Sequence, residues 1–319
     1  IMGETQINAP LSHILCYNDY MKNKHLEHIE DNILAGKQGA VDAVKFLTSK
    51  ENKVSVKYDG APAIVYGVNP ENNRFFVGTK SVFNKVKVKI NYTHDDIDRN
   101  HRAVPEVATI LHTCFDTLPK NDGVYQGDFI GYAGSDNHTP NTITYKFDDR
   151  IDSMIMATHT KYIGNTIKDM SAQFHYRATN DDNVHFIDTN ANVGKRNLKL
   201  DLLTTLARTI IPFVKFPHDD DIAQLKVSIN KYIRSGRSLD ADQLAKDTGY
   251  SKNLFHLYNM IIEIKELIME GITTTENVQC LHDNMPYEHE GYVMSNDYGT
   301  FKLVKRQQFS YANFQKCDS

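Results

Sequence analysis

Cysteine is scarce in this chain. Four residues in 319 carry a thiol, Cys16, Cys114, Cys280 and Cys317, and no two stand at the spacing of a zinc site or a redox motif. They read as reduced thiols, which points to the cytoplasm rather than a disulfide-rich secreted domain. No hydrophobic run is long enough to cross a bilayer and no signal peptide is visible, so no membrane partner is expected. The chain also lacks a strong charge bias: the formal net charge of -4 argues against a generally basic nucleic-acid coat, though not against a local basic groove. Internal repeats and low-complexity segments are missing as well. What is present, 40% apolar and 24% charged residues, suits a globular protein with a full core.

Periodicity divides the chain. Residues 1–50 read as a helical segment, with Leu26, Ile29, Ile33 and Leu34 on one face. Residues 51–189 are mainly β: "KVSVK" alternates, "AIVYGV" and "RFFVGTK" flank the turn "NPENN", and "SVFNKVKVKINY" alternates again. "PEVATILHTCFDTL" is a helix begun by Pro105, and "GVYQGDFIGYAG" and "TITYKF" read as paired strands. "SMIMATHT" is a buried strand or a short helix. Residues 190–272 turn helical, with Leu202, Leu203, Leu206 and Ile210, then Ile222, Leu225, Ile229 and Ile233, then Leu257, Ile261, Ile264 and Leu267 at helical spacing. Residues 273–319 return to β in "EGYVMSNDYGTFKLVK". The expected class is α+β, with antiparallel sheets, flanking helices and an all-helical insertion.

The chemistry concentrates in a few short motifs. In "VSVKYDG", Val54 and Val56 share one strand face while Ser55 and Lys57 share the other. Lys57 thus ends a strand on its polar side, and Gly60 lets the chain turn. In "HEGYVM", Glu290, Tyr292 and Met294 alternate with Gly291 and Val293. In "TFKLVKR", Lys302 shares a face with Val304. The strand "VYQGDFIGY" carries Asp128 after Gly127.

The order Lys57-Tyr58-Asp59-Gly60, Gly127-Asp128-Phe129, Glu290-Gly291-Tyr292-Val293, then Lys302 and Lys305, resembles the covalent nucleotidyltransferase superfamily of ATP-dependent RNA and DNA ligases and mRNA capping enzymes. The resemblance covers roughly residues 50–150 and 285–306. It implies a nucleotidyltransferase core over 51–189 and 273–319, with 190–272 as an accessory insertion. It also implies a lysyl-AMP intermediate on Lys57. Lys302 would be its catalytic partner, lowering the Lys57 pKa and neutralising the α-phosphate. Ser55, Val56, Tyr58, Asp59, Gly60, Asp128, Glu290 and Lys305 would form the nucleotide site, with Asp128 on the ribose and Asp59 orienting the Lys57 loop. Glu290 would also be the ligand for Mg²⁺ or Mn²⁺. ATP is the expected nucleotide, with GTP left open.

Two departures stand out. Aspartate replaces the usual glutamate at Asp128, and Lys302 and Lys305 are three apart rather than two, which puts them on opposite faces of a regular strand. Thirteen residues follow Arg306, too few for the OB-fold usual in DNA ligases and capping enzymes, which tilts the expectation toward a divergent RNA-ligase-like member, bacteriophage in style and acting in a host cytoplasm. Lys80 in "GTKS", and Lys85, Lys87 and Lys89 on one face of "NKVKVKI", are the expected contacts to acceptor phosphate. The expected reaction transfers AMP to a 5'-phosphate end, of RNA sooner than DNA. Capping-type, protein or small-molecule acceptors, or an inactive nucleic-acid-binding module, are the alternatives.

Three further signals read as structural. "DQLAKDTGYSKNLFHLYN" looks like a helical hairpin more than a helix-turn-helix. His282 and His289 read as surface or loop residues. "YTHDDIDRNH" reads as a helix start, since it lacks the glycine and terminal glutamate of a calcium loop.

Overall fold

The computed structural model describes residues 26–309. The expected helix over residues 1–25, and Cys16 and Cys317, lie outside the described residues. Within them the chain is α+β, with antiparallel pairing in every sheet and one parallel exception, Met154–Ile163 with Val184–Phe186.

The first sheet has five strands in the order Ile272–Thr274, Asn190–Val193, Lys53–Lys57, Gly291–Asn296, Gly299–Val304. Its alternation settles what faces where. Val54 pairs with Met294, Val56 with Tyr292, and these in turn with Phe301 and Leu303. This apolar face packs against the helices Gly36–Thr48, Leu198–Ile210 and Lys252–Glu270 in one continuous core. Ser55, Lys57, Val293 and Lys302 project from the other face.

The expected insertion therefore begins and ends inside this sheet. Asn190–Val193 and Ile272–Thr274 are neighbouring strands, and the helices between them return the chain to the edge it left. Leu254, Phe255, Leu257, Tyr258, Ile261 and Ile264 are fully buried, so Lys252–Glu270 is a central core helix. Gly249, in the left-handed region at φ 75°, ends Ala241–Thr248, and Ser251 caps the next helix, which gives the hairpin expected of this stretch.

The second sheet runs Arg74–Gly78, Ala63–Asn69, Val124–Gly131, Met154–Ile163, Ser171–Phe174. The helices Pro105–Thr117 and His94–His101 cover one face through Leu111, Cys114 and Ile97, the second helix capped by Thr93 as expected of a helix start. A third sheet holds Met285–Tyr287, Gln279–His282, Thr144–Ile151 and Ser135–His138. The expected pairing of "GVYQGDFIGYAG" with "TITYKF" is thus corrected: the two strands lie in different sheets, the first satisfied on both edges by Ala63–Asn69 and Met154–Ile163.

A second correction concerns "NKVKVKI". It forms no strand. After a short 3₁₀ turn at Lys80–Phe83 the backbone is irregular, and Lys87 at φ 56° breaks any alternation. Of the apolar half of the pattern, Val86 and Val88 are exposed and only Ile90 is partly buried, against Val65, Phe76 and their neighbours.

Candidate active site

Two sheets face each other across a cavity of about 410 Å³. The first contributes Ser55, Lys57, Val293 and Lys302. The second contributes Gln126 and Asp128 from one strand, His159, Thr160 and Tyr162 from its neighbour, and Phe174 from the next. Lys80, Phe83 and Leu26 close the sides.

Lys57 ends its strand opposite Gly291 and donates a very short hydrogen bond to Glu290 Oε2. Strict alternation would place Glu290 with Tyr292 and Met294 on the core face. It escapes because the strand begins only at Gly291, leaving Glu290 in the preceding loop. A side chain on Gly291 would meet Leu303 O at 2.2 Å, so glycine is what lets this strand lie against its hairpin partner just where Glu290 turns in.

The charge balance around Lys57 differs from the expectation. Burial pulls its pKa down, but the charge and hydrogen bond of Glu290, then Asp128 and Asp59, outweigh that, and the net shift is upward. Lys302 is the amine held low, by burial first and then by Lys57 and Arg306. The expectation of a lowered Lys57 pKa, with Lys302 as the cation responsible, is corrected: three nearby carboxylates keep Lys57 an ammonium. Burial raises Glu290, with Lys57 opposing. Each partner's charge favours the ionised form of the other, against burial.

Asp59 points away from the cavity. Its carboxylate accepts from Asn141 Nδ2 at 2.9 Å and Thr142 N at 3.1 Å, and its backbone N–H donates to Tyr145 Oη. It orients the loop after Lys57, as expected. Gly60 serves by absence: a Cβ there would sit 2.6 Å from Asp128 Cβ and 2.7 Å from Phe129 O. The requirement is close approach to the Asp128 strand, not a turn conformation. Tyr58 is corrected out of the nucleotide site. It lies on the core face, its ring edge-on to Tyr145 and His289, and its hydroxyl has no partner among the described residues. Val56 also turns its side chain into the core.

Lys305 is corrected likewise. It pairs with Glu288 at 2.6 Å beside Tyr287 and Tyr292, in a separate recess behind the sheet. Of the acceptor-phosphate lysines, Lys80 lines the cavity, Lys85 and Lys87 are exposed in the loop that follows, and Lys89 donates to Asn100 O at 2.6 Å. There is no lysine stripe. His289 is half-buried against Tyr58 and Cys280 rather than on the surface, and burial lowers its pKa to about 4.

Three features escaped the sequence reading. His159 is the extra residue of a bulge, because Gln126 pairs with Thr160 and Gly127 with Thr158. The bulge turns His159 into the cavity, its Nε2 3.6 Å from Asp128 Oδ2. His175 bridges Ser55 Oγ at 3.0 Å and Ser295 Oγ at 2.7 Å, tying the second sheet's trailing loop to the first sheet. Beneath Lys302, Arg306 donates to Asp31 and Tyr258, each at 2.9 Å, and Lys265 donates to Glu30 and to Val304 O. These four charges are buried and fix the end of the Lys302 strand.

Among the described residues no group of three or more His, Cys, Asp or Glu side chains is placed to hold a metal alone. Glu290 fits a hard divalent ion only in the manner of Mg²⁺, where one or two carboxylates share it with substrate phosphates. No helix of the described residues is long and apolar enough to cross a membrane.

Two sheets, the first wholly antiparallel, with a lysine–carboxylate cleft between them define an α+β protein with a candidate anion-binding pocket. The chain matches a family of unknown function, DUF6267, over residues 23–249 and 239–317, and belongs to it. No curated protein and no solved structure matches it.

Proposed function

We propose that the cavity binds a nucleoside triphosphate and that Lys57 takes up its nucleotidyl group. One observation carries the reading: Lys57, Asp128 and Lys302, far apart in sequence, line one cavity, and Glu290 is bonded to Lys57, in the motif order of the covalent nucleotidyltransferases. In the proposed step Lys57 Nζ, having lost its proton to solvent, bonds to the α-phosphorus as the bond to the bridging oxygen breaks, and pyrophosphate leaves. Lys302 faces the developing charge on the α-phosphate. Asp128, backed by His159, receives the ribose hydroxyls. Glu290, once it lets go of Lys57, is the carboxylate available to Mg²⁺ or Mn²⁺, which would offset the triphosphate charge.

The proposed second step passes AMP to a 5'-phosphate end, RNA preferred, with Lys80 at the cavity rim as the phosphate contact. The missing lysine stripe weakens the polynucleotide acceptor relative to a protein or small-molecule one. The covalent step does not depend on that choice.

Intact-protein mass tests the first step. Protein pre-treated with pyrophosphate, then given Mg²⁺ and ATP or GTP, should gain one nucleoside monophosphate. Lys57→Ala should gain none. A stripped wild-type protein that gains nothing with either nucleotide would remove the proposal. Incubating charged protein with 5'-phosphorylated RNA then tests the acceptor.

A further inference from the structure

One wall of the cavity carries an amide whose orientation the protein itself fixes. Gln126 lies two residues before Asp128 on the same strand face, and both line the cavity. Gln126 is only 7% exposed. Its Oε1 accepts a hydrogen bond from Tyr162 Oη at 2.6 Å. That bond fixes which way the amide lies. Nε2 is not held by that bond, and Gln126 lines the cavity together with Phe83 and Phe174. A donor so oriented at a cavity wall is available to an acceptor on a ligand.

We propose that the Gln126–Tyr162 pair reads the nucleobase and selects adenine over guanine. The inference rests on the nucleotide reading above. With the ribose hydroxyls on Asp128, the base edge on the hydroxyl side of the glycosidic bond points along the strand toward Gln126, about 7 Å away at two residues of strand rise. On that edge adenine presents only the N3 acceptor, whereas guanine adds its N2 amine, a donor. A side chain that offers only N–H groups satisfies the first and opposes the second. Tyr162 is the positioning residue, since losing its hydroxyl frees Oε1 to face the ligand instead.

The test uses pyrophosphate-stripped protein with the unreactive α,β-methylene analogues of ATP and GTP plus Mg²⁺, followed by calorimetry. Wild type should prefer the adenine analogue by roughly tenfold or more, the penalty expected of opposed buried donors. Tyr162→Phe should bring the ratio toward one, and Gln126→Glu should favour guanine. Should the buried carboxylate prevent folding, Gln126→Leu serves, with the ratio again falling toward one. Equal binding of both analogues by wild type, or a ratio unmoved in the variants, overturns the inference. Adenine-selective binding without a mass adduct from ATP overturns nucleotidyl transfer but upholds base reading. Binding of neither analogue overturns both.

Discussion

Replacing Glu290 by Gln should make Lys57 more reactive toward a small electrophile while making it worse at the proposed reaction. Lys57 is held above its ordinary pKa of 10.5, so fewer than about one molecule in 300 carries the neutral amine at pH 8. Glu290 is the leading upward influence, through both charge and a hydrogen bond, and it works against burial. Glutamine keeps the shape and removes the charge. Burial then dominates, assisted by Lys302, and the pKa falls. Each unit of fall raises the neutral fraction tenfold. Competitive labelling with acetic anhydride at pH 8, read by peptide mass, should therefore show Lys57 in Glu290→Gln acetylated about ten times faster than in wild type. An unchanged or slower rate in a variant with native unfolding behaviour would show that Glu290 does not restrain this amine. The same variant should form the nucleotidyl adduct more slowly, because the carboxylate that would meet the cation is gone.

Other consequences follow from the geometry. Arg306→Met strands Asp31 beneath the Lys302 strand and should cost about 3–5 kcal/mol in urea unfolding. The double variant with Asp31→Asn should recover part of that loss, and a double that costs the full sum of the singles would contradict the pairing. Gly60→Ala places a methyl into Asp128 and the Phe129 carbonyl and should cost about 1–3 kcal/mol, with nucleotide binding weakened through Asp128. His175 is held neutral, its pKa lowered to about 4 by burial and then by Lys53 and His159. A depressed histidine stabilises above its unfolded value of 6.5, and that contribution is lost as pH falls from 6.5 toward 4, by up to about 3 kcal/mol. His175→Asn should flatten the stability profile across that window relative to wild type.

The parts of the site legible in the sequence were those set by local period. Alternation in "VSVKYDG" put Ser55 and Lys57 together on the polar face, and the three-residue spacing of Lys302 and Lys305 separated the cavity lysine from the outer one. Alternation failed in two ways. In "NKVKVKI" the pattern was present but no neighbouring strand received it, and Val86 and Val88 stayed in solvent while Ile90 alone was partly buried. In "SMIMATHT" the strand is buried on both faces, so no alternating signal survives to distinguish strand from helix. His159 reached the cavity through a bulge, a register shift that depends on the neighbouring strand. The Glu30–Lys265 and Asp31–Arg306 pairs join residues more than 230 positions apart and leave no local trace.

The Lys57–Glu290 pair gives the proposed reaction its order of events. With Glu290, Asp128 and Asp59 all favouring its charged form against burial, Lys57 rests as an ammonium rather than a free nucleophile. A bare triphosphate would suit Lys302 and Lys80 but meet the carboxylates of Asp128 and Glu290, which attract a cation. A cation–nucleotide complex answers both at once: it brings positive charge to Glu290 and so withdraws the partner that keeps Lys57 protonated. Under this reading the nucleophile is released only when substrate and cation are both in place. Glu290 can take that double role because the strand starts one residue after it, and Gly291 lets that strand close against Leu303. Restoring the alternation at this point, with Glu290 drawn into the strand on the core face, would leave Lys57 without its restraint and the cation without its carboxylate.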